Sequence, residues 1–177
     1  MQKSLKHTAK ICGLLLATTL VIMTFTAYAI NLSMFVNTTY GLAIYAVIIS
    51  FGFYSVFQTK SNQGGVFSFK DAFSVYFITI LIGLIIHTAV TYVLFNFIDN
   101  QAAIILKEKS IEQLTLVYKN MHKTPEEINK MIAIVKADNL YSLKNCFTAM
   151  VTSYLLPLSI IGLLIAAVMK KSNTNAK

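Results

Sequence analysis

The sequence predicts an all-α fold: an integral membrane protein of four transmembrane helices, with an amphipathic helical hairpin between spans three and four. Three observations predict it. Apolar residues make up 56% of the chain and charged residues only 12%, about half the usual share in a soluble domain. The apolar residues gather in four long runs whose interiors hold no Lys, Asp or Glu. The polar insert between the last two runs, 99–145, carries helix signals of its own. The whole chain, 1–177, reads as a single membrane domain.

Each run meets the need for roughly 20 apolar residues to cross a hydrocarbon core of about 30 Å. The first is ICGLLLATTLVIMTFTAYAI, about 11–30. It follows a basic start and ends in AYA at Ala27–Ala29, which also fits a cleaved signal peptide. Its apolar run is longer than an ordinary signal core, so retention as an anchor is expected. The second run, about 40–57, qualifies narrowly; the third, about 73–98, is long enough to tilt; the fourth, about 146–169, contains Pro157. That proline frees a backbone carbonyl near Ser153 and predicts a kink, which would serve as structure or as a hinge.

Lysine placement sets the orientation. Lys3, Lys6 and Lys10 precede span one, Lys60 and Lys70 lie in the second loop, and Lys170, Lys171 and Lys177 follow span four. The first loop, NLSMFVNTT, has no charge. Both termini and the second loop are therefore expected in the cytoplasm. The 99–145 insert is expected outside, which in a bacterium means the periplasm and places the protein in the inner membrane. The net charge of +8 comes with no Arg and no basic stripe interleaved with aromatics, so no nucleic-acid partner is expected. The expected partners are the lipid bilayer and a protein, whether another chain or a second copy of this one.

The insert predicts two helices. In the first, Ile104, Ile111, Leu114, Tyr118 and Met121 recur at helical spacing. The second should run from Pro125 to about Asp138, with Thr124 as N-cap, Pro125 at the first position, Glu127 closing a capping box, and Ile128, Met131, Ile132 and Val135 on one face. The hairpin either links its spans or binds a partner or ligand.

Between spans two and three lies the elbow, 58–72, with QGGVFSFKDAF at its end. Gly64 and Gly65 permit positive φ and a sharp turn. Phe67 and Phe69 are expected at headgroup level while Lys60 and Lys70 reach lipid phosphates. Ser68 is a candidate cap for the next helix, with Asp71 suited to its positive end. The same residues carry a resemblance. GGVFSFKDAF, through Gly64, Gly65, Ser68, Phe69, Ala72 and Phe73, resembles the "GG-x-hydrophobic-SF-x-x-AF" signature of the domain of unknown function 4199 family, small bacterial inner-membrane proteins. The likeness extends over most of the chain, from the basic first span through TPEEINKM to the closing GLLIAAVMKK. Family members often place a Gly shortly after the AF pair, where this chain has Ser74, Val75 and Tyr76. The resemblance implies four spans and no assigned activity, and it transfers no catalytic residue.

Motifs for chemistry are sparse. The chain has no HExxH, paired-cysteine, Gly-x-Ser-x-Gly, haem-attachment or P-loop motif, so no cofactor or metal is expected. Cys12 and Cys146 fall at opposite membrane faces and should not pair. His7 and His122 read as surface residues. His87 is different, because it lies inside span three, where a polar group must find a partner or stay neutral. Thr79, Gly83, His87 and Thr91 are four apart and form a small, polar stripe that suits close helix approach. Thr24, Ser50, Ser153 or the carbonyl freed by Pro157 are the expected partners of His87. The favoured function is a non-enzymatic structural or accessory membrane component. The rivals are a small transporter or channel subunit using His87 and Pro157, and an intramembrane enzyme.

Overall fold

The structure is a computed structural model that describes residues 2–65 and 67–170. Val66, Lys171 and Lys177, and the side chain of Lys3, lie outside the described residues. Helix α1 spans Gln2–Ile30, a 3-10 turn covers Leu32–Val36, and α2 spans Thr38–Asn62. Helix α3 runs Phe69–Val93 and continues through a π-helical turn, Leu94–Ile98. The insert forms α4, Asn100–Asn120, and α5, Pro125–Ala137. The last span is α6, Leu143–Ala149, a π-helical turn Met150–Leu155, and α7, Leu156–Met169. Four helices are long and apolar enough to cross a membrane: Leu5–Ile30, Thr38–Asn62, Phe69–Ile98 and Leu143–Met169.

Two of the expected boundaries shift. The helix of span two continues to Asn62 and that of span three begins at Phe69, so the elbow is far shorter than 58–72. Its ends are set by local chemistry. Ser68 accepts the Asp71 N–H at 3.0 Å and donates its hydroxyl to the Asp71 carboxylate at 2.7 Å. Gly64 and Gly65 take φ of 69° and 88°, values that cost other residues a steric clash. Phe67 corrects the expectation of a headgroup-level aromatic. It is 1% exposed and belongs to the bundle core with Leu5, Ala72 and Met169. A large ring gains more by leaving water and filling the end of the bundle than by lying at the interface. Phe69, by contrast, is exposed.

Helix packing rests on glycines that face bulky side chains. The most extensive helix pair is α1 with α3. A Cβ on Gly13 would lie 3.0 Å from the Thr79 carbonyl oxygen, and one on Gly83 would lie 2.5 Å from a Leu16 methyl. At the centre, the buried Tyr76 ring is held between α2 and α7. A Cβ on Gly52 would fall 2.4 Å from its Cε2, and one on Gly162 2.4 Å from its Cδ1. This chain places a ring three residues after the AF pair, and the glycines that admit it lie on the two neighbouring helices. That closeness maximises van der Waals contact, which drives helix association when lipid tails are as apolar as the helices.

A second, smaller core lies at the other end of the bundle. Leu94, Phe95, Ala102 and Leu106 are buried there, with Tyr28, Leu32, Phe35 and Tyr141 packed around them. It docks the first turns of α4. Asp99 caps α4 by accepting the Ala102 N–H at 2.9 Å and accepts the Tyr28 hydroxyl at 2.7 Å. Lys109 donates to the Ser33 hydroxyl at 2.8 Å. Docking by the first turns explains a departure from the expected face of α4. Ala102 and Leu106 are buried, whereas Ile104 and Met121 are exposed and Ile111, Leu114 and Tyr118 are half-buried. In α5 the capping box is complete: Thr124 accepts the Glu127 N–H at 3.3 Å, and Glu127 accepts the Thr124 N–H at 3.0 Å. Ile128 is buried, while Met131, Ile132 and Val135 are half-buried.

Candidate functional site: a cavity beside His87

The stripe on α3 has one residue type after another facing α1. Thr79 is buried and donates to its own helix at Val75, with the Ala9 carbonyl of α1 at 3.3 Å. Gly83 receives Leu16. His87 Nε2 lies 3.0 Å from the Thr24 hydroxyl of α1, one of the partners the sequence offered. Thr91 departs from this pattern: its buried hydroxyl has no hydrogen-bond partner among the described residues. Ser50 donates within its own helix to Ala46. The Ser153 carbonyl, freed as Pro157 requires, accepts the Tyr45 hydroxyl.

That last bond bears on the shape of the site. The π-helical turn widens span four just before Pro157, with the Leu156 N–H reaching back to the Val151 carbonyl. Tyr45 ties α2 to this turn, and its ring stacks on Tyr154 with centroids 5.2 Å apart. Beyond that tie α2 packs on α7 but makes no comparable contact with α6. The gap is a cavity of about 220 Å³. Its walls include His87, Thr88 and Thr91 of α3, Tyr40 and Ile44 of α2, and Met150 of span four, with Tyr141 and Asn145 at the rim.

The rim is pinned by short-range and long-range bonds together. Asn96 donates to the Tyr141 carbonyl at 2.7 Å, and the Tyr141 ring meets Phe95 with centroids 4.4 Å apart. Asn145 donates to Asp138 at 2.8 Å and to the Asn139 carbonyl at 2.7 Å. Burial pushes the Tyr141 phenol well above its ordinary pKa, with smaller contributions from Cys146 and Tyr154. Its hydroxyl is therefore a neutral group at physiological pH. Sequence reasoning missed Tyr40, Tyr141, Asn145 and Tyr154. For Tyr40, Tyr141 and Asn145 the one available signal was a polar atom at the end of an apolar run, a pattern common to interfacial residues of any span; Tyr154 lies within span four.

Pro157 is exposed and does not line this cavity. The elbow residues Gly64, Gly65, Ser68, Phe69, Ala72 and Phe73 lie at the opposite end of the bundle and form no joint site with His87. Among the described residues, no group of three His, Cys, Asp or Glu is placed to hold a metal ion. Cys12 and Cys146 are free thiols, and His7 and His122 are exposed.

Comparison with known families agrees with the elbow motif. The family described as Protein of unknown function (DUF4199) matches residues 11–171. The chain belongs to this family. The match runs from the first span to just beyond the last, so in this DUF4199 member the cavity, the elbow and the hairpin all fall inside the shared region. No curated protein and no solved structure matches the chain.

Proposed function

We propose that the protein is a non-enzymatic accessory component of a bacterial inner membrane, with both termini in the cytoplasm and the α4–α5 hairpin outside, where it meets a protein partner. One observation carries this reading. The hairpin is fixed to the bundle through the first turns of α4, while the far end of α4 and the turn leave Leu116, Val117 and Met121 exposed and α5 leaves Ile134 exposed. A linker whose only task is to join two spans has no need to be docked at its base and apolar at its tip. Retention of α1 belongs to the same reading. Ala27 is fully buried, Thr24 meets His87 of α3, and Tyr28 meets Asp99 at the start of α4.

A photo-cross-linking residue at position 116 or 134, used in native membranes, tests the proposal. A discrete adduct with another protein is expected. Adducts with lipid alone would remove the partner, and an adduct of twice the chain mass would make the partner a second copy. The transporter or channel reading finds support in the His87 cavity. Against it, the Tyr76 ring fills the centre of the bundle between Gly52 and Gly162, which leaves a pocket rather than a passage in a single chain.

A further inference from the structure

The hydrogen bonds around His87 favour Nε2 as the ring nitrogen that carries the proton. Thr24 has one hydroxyl proton, and its oxygen lies 2.9 Å from the Leu20 carbonyl, the back-bond that a helical threonine makes to residue i−4. Both contacts are made at once when the hydroxyl proton goes to that carbonyl and the Thr24 oxygen accepts from His87; with Nε2 as acceptor, one proton would have to serve two acceptors. The His87 contact at 3.0 Å is then a donation from Nε2–H to the Thr24 oxygen. In an apolar span with no Asp, Glu or Lys in the cavity wall, His87 is the neutral imidazole. Its Nδ1 is therefore an acceptor, and the side-chain hydrogen bond that His87 makes among the described residues is the one through Nε2. One turn further along α3, the Thr91 hydroxyl is without a partner. Both residues line the cavity, and Thr91 joins Gln63 and Tyr76 in having a buried side-chain polar group that lacks a partner among the described residues, where most such groups are paired.

The remaining wall defines what would satisfy them. Apart from Thr24, Thr88, Asn145 and Cys146 it is mainly aromatic and aliphatic, from Phe35, Tyr40, Ile44, Tyr154 and Met150, and carries no ionised group. An anion or cation would lose its hydration with no counter-charge to replace it. The volume of about 220 Å³ exceeds the roughly 150 Å³ of an apolar cavity that takes benzene. It therefore suits one substituted six-membered ring. A water molecule could reach Nδ1, but it would leave most of an apolar chamber unfilled.

We propose that this cavity binds a neutral phenolic ring, whose hydroxyl donates to His87 Nδ1 and whose body lies among the tyrosines. The ring is either a free small phenol or the headgroup of a lipid-borne quinol; the chemistry recognised is the same.

The test uses the full chain with ¹⁵N-labelled histidine, in mild detergent and in lipid nanodiscs. Before any ligand is added, the buried imidazole should show Nε2 as the protonated nitrogen. The probes are 4-propylphenol, its methyl ether 4-propylanisole, and a decyl-chain quinol. The phenol should shift the unprotonated His87 nitrogen and leave His7 and His122 unmoved. The ether keeps the ring but lacks the donor, so it should bind about tenfold more weakly, the loss expected for one neutral hydrogen bond. Gly41 lines the cavity, and a Cβ there meets nothing within 4 Å. Gly41→Leu should therefore fill the space without disturbing the fold and abolish the shift. Thr91→Val should weaken binding while preserving it. A shift with the free phenol alone points to a water-borne ligand, and one with the quinol alone to a membrane-borne ligand; either supports the proposal. It is overturned by a protonated Nδ1, by equal response to phenol and ether, or by a response that survives Gly41→Leu.

Discussion

Gly162→Ala puts one methyl group against the ring at the centre of the bundle. The new Cβ would sit 2.4 Å from Tyr76 Cδ1, 2.6 Å from Cε1 and 3.2 Å from Cγ. Carbon atoms prefer about 3.5–4.0 Å, so the overlap is roughly 1 Å on the closest pair. The ring has little room to retreat, since its opposite edge rests on Gly52, where a Cβ would fall 2.4 Å from Cε2. Overpacking of this kind costs about 1–3 kcal/mol, while replacing a helical glycine by alanine returns up to about 1 kcal/mol. Gly41→Ala separates the two effects, because its Cβ meets nothing within 4 Å and only the propensity gain remains. Thermal unfolding in mild detergent, followed by helical circular dichroism, should rank Gly41→Ala at or above the parent and Gly162→Ala below it by about 1–3 kcal/mol relative to Gly41→Ala. In a Tyr76→Leu background the penalty of Gly162→Ala should shrink or vanish, which is the coupling expected of two groups in contact. Equal stability for Gly162→Ala and Gly41→Ala, or an unchanged penalty without the ring, would refute the account of how α3 is held between α2 and α7.

Four further outcomes are expected. Thr124→Ala should cost about 1 kcal/mol of local helix stability, read as faster amide exchange across 125–130, with the bundle unaffected. The Asp99 carboxylate is held below its ordinary pKa, first by the Tyr28 hydroxyl and then by the Ala102 N–H. A depressed pKa stabilises the fold above the unfolded value and ceases to do so as pH falls through the folded one. Docking of α4 should thus hold at neutral pH and loosen only below the ordinary Asp range, with that pH dependence absent in Asp99→Asn; amide exchange at Ala102 reports it. Tyr45→Phe leaves the carbonyl before Pro157 without its donor and should lower stability by about 1 kcal/mol, measured in the same unfolding assay. For orientation, alkaline phosphatase fused after Asn120 should be active and fused after Asn62 inactive; the opposite pattern would reverse the membrane topology.

What the sequence made legible was what short stretches decide. The spans followed from length and apolarity, and the Thr124 box and the Ser68 cap each close within three residues. The positive φ at Gly64 and Gly65 was equally local. Lateral packing was not legible, because both faces of a membrane helix are apolar and periodicity no longer tells core from lipid. Tyr76 looked like any other aromatic of span three, and its partners Gly52 and Gly162 lie on other helices. His87 stood out as a polar group in an apolar run, and Thr24 was within the set of partners that chemistry allowed. The cavity did not stand out, since it exists only where α2 and α6 part and where Asn96, 45 residues away in the chain, secures Tyr141. The burial of Phe67 escaped notice for the same reason: nothing near it in sequence shows that Leu5 and Met169 meet there.

Thr24 and Tyr28 stand one helical turn apart on α1, and each has a single long-range partner. Thr24 holds the imidazole at the back of the cavity, and Tyr28 holds the carboxylate at the root of the hairpin. Residues four apart share a helix face, so one rigid strut connects the α4–α5 hairpin to the cavity. A displacement at either end has to be accommodated at the other or absorbed by breaking a bond. Where such a displacement joins two binding events, the linkage is reciprocal: a ligand on the hairpin would alter how readily the cavity fills, and a filled cavity would alter affinity at the hairpin by the same factor.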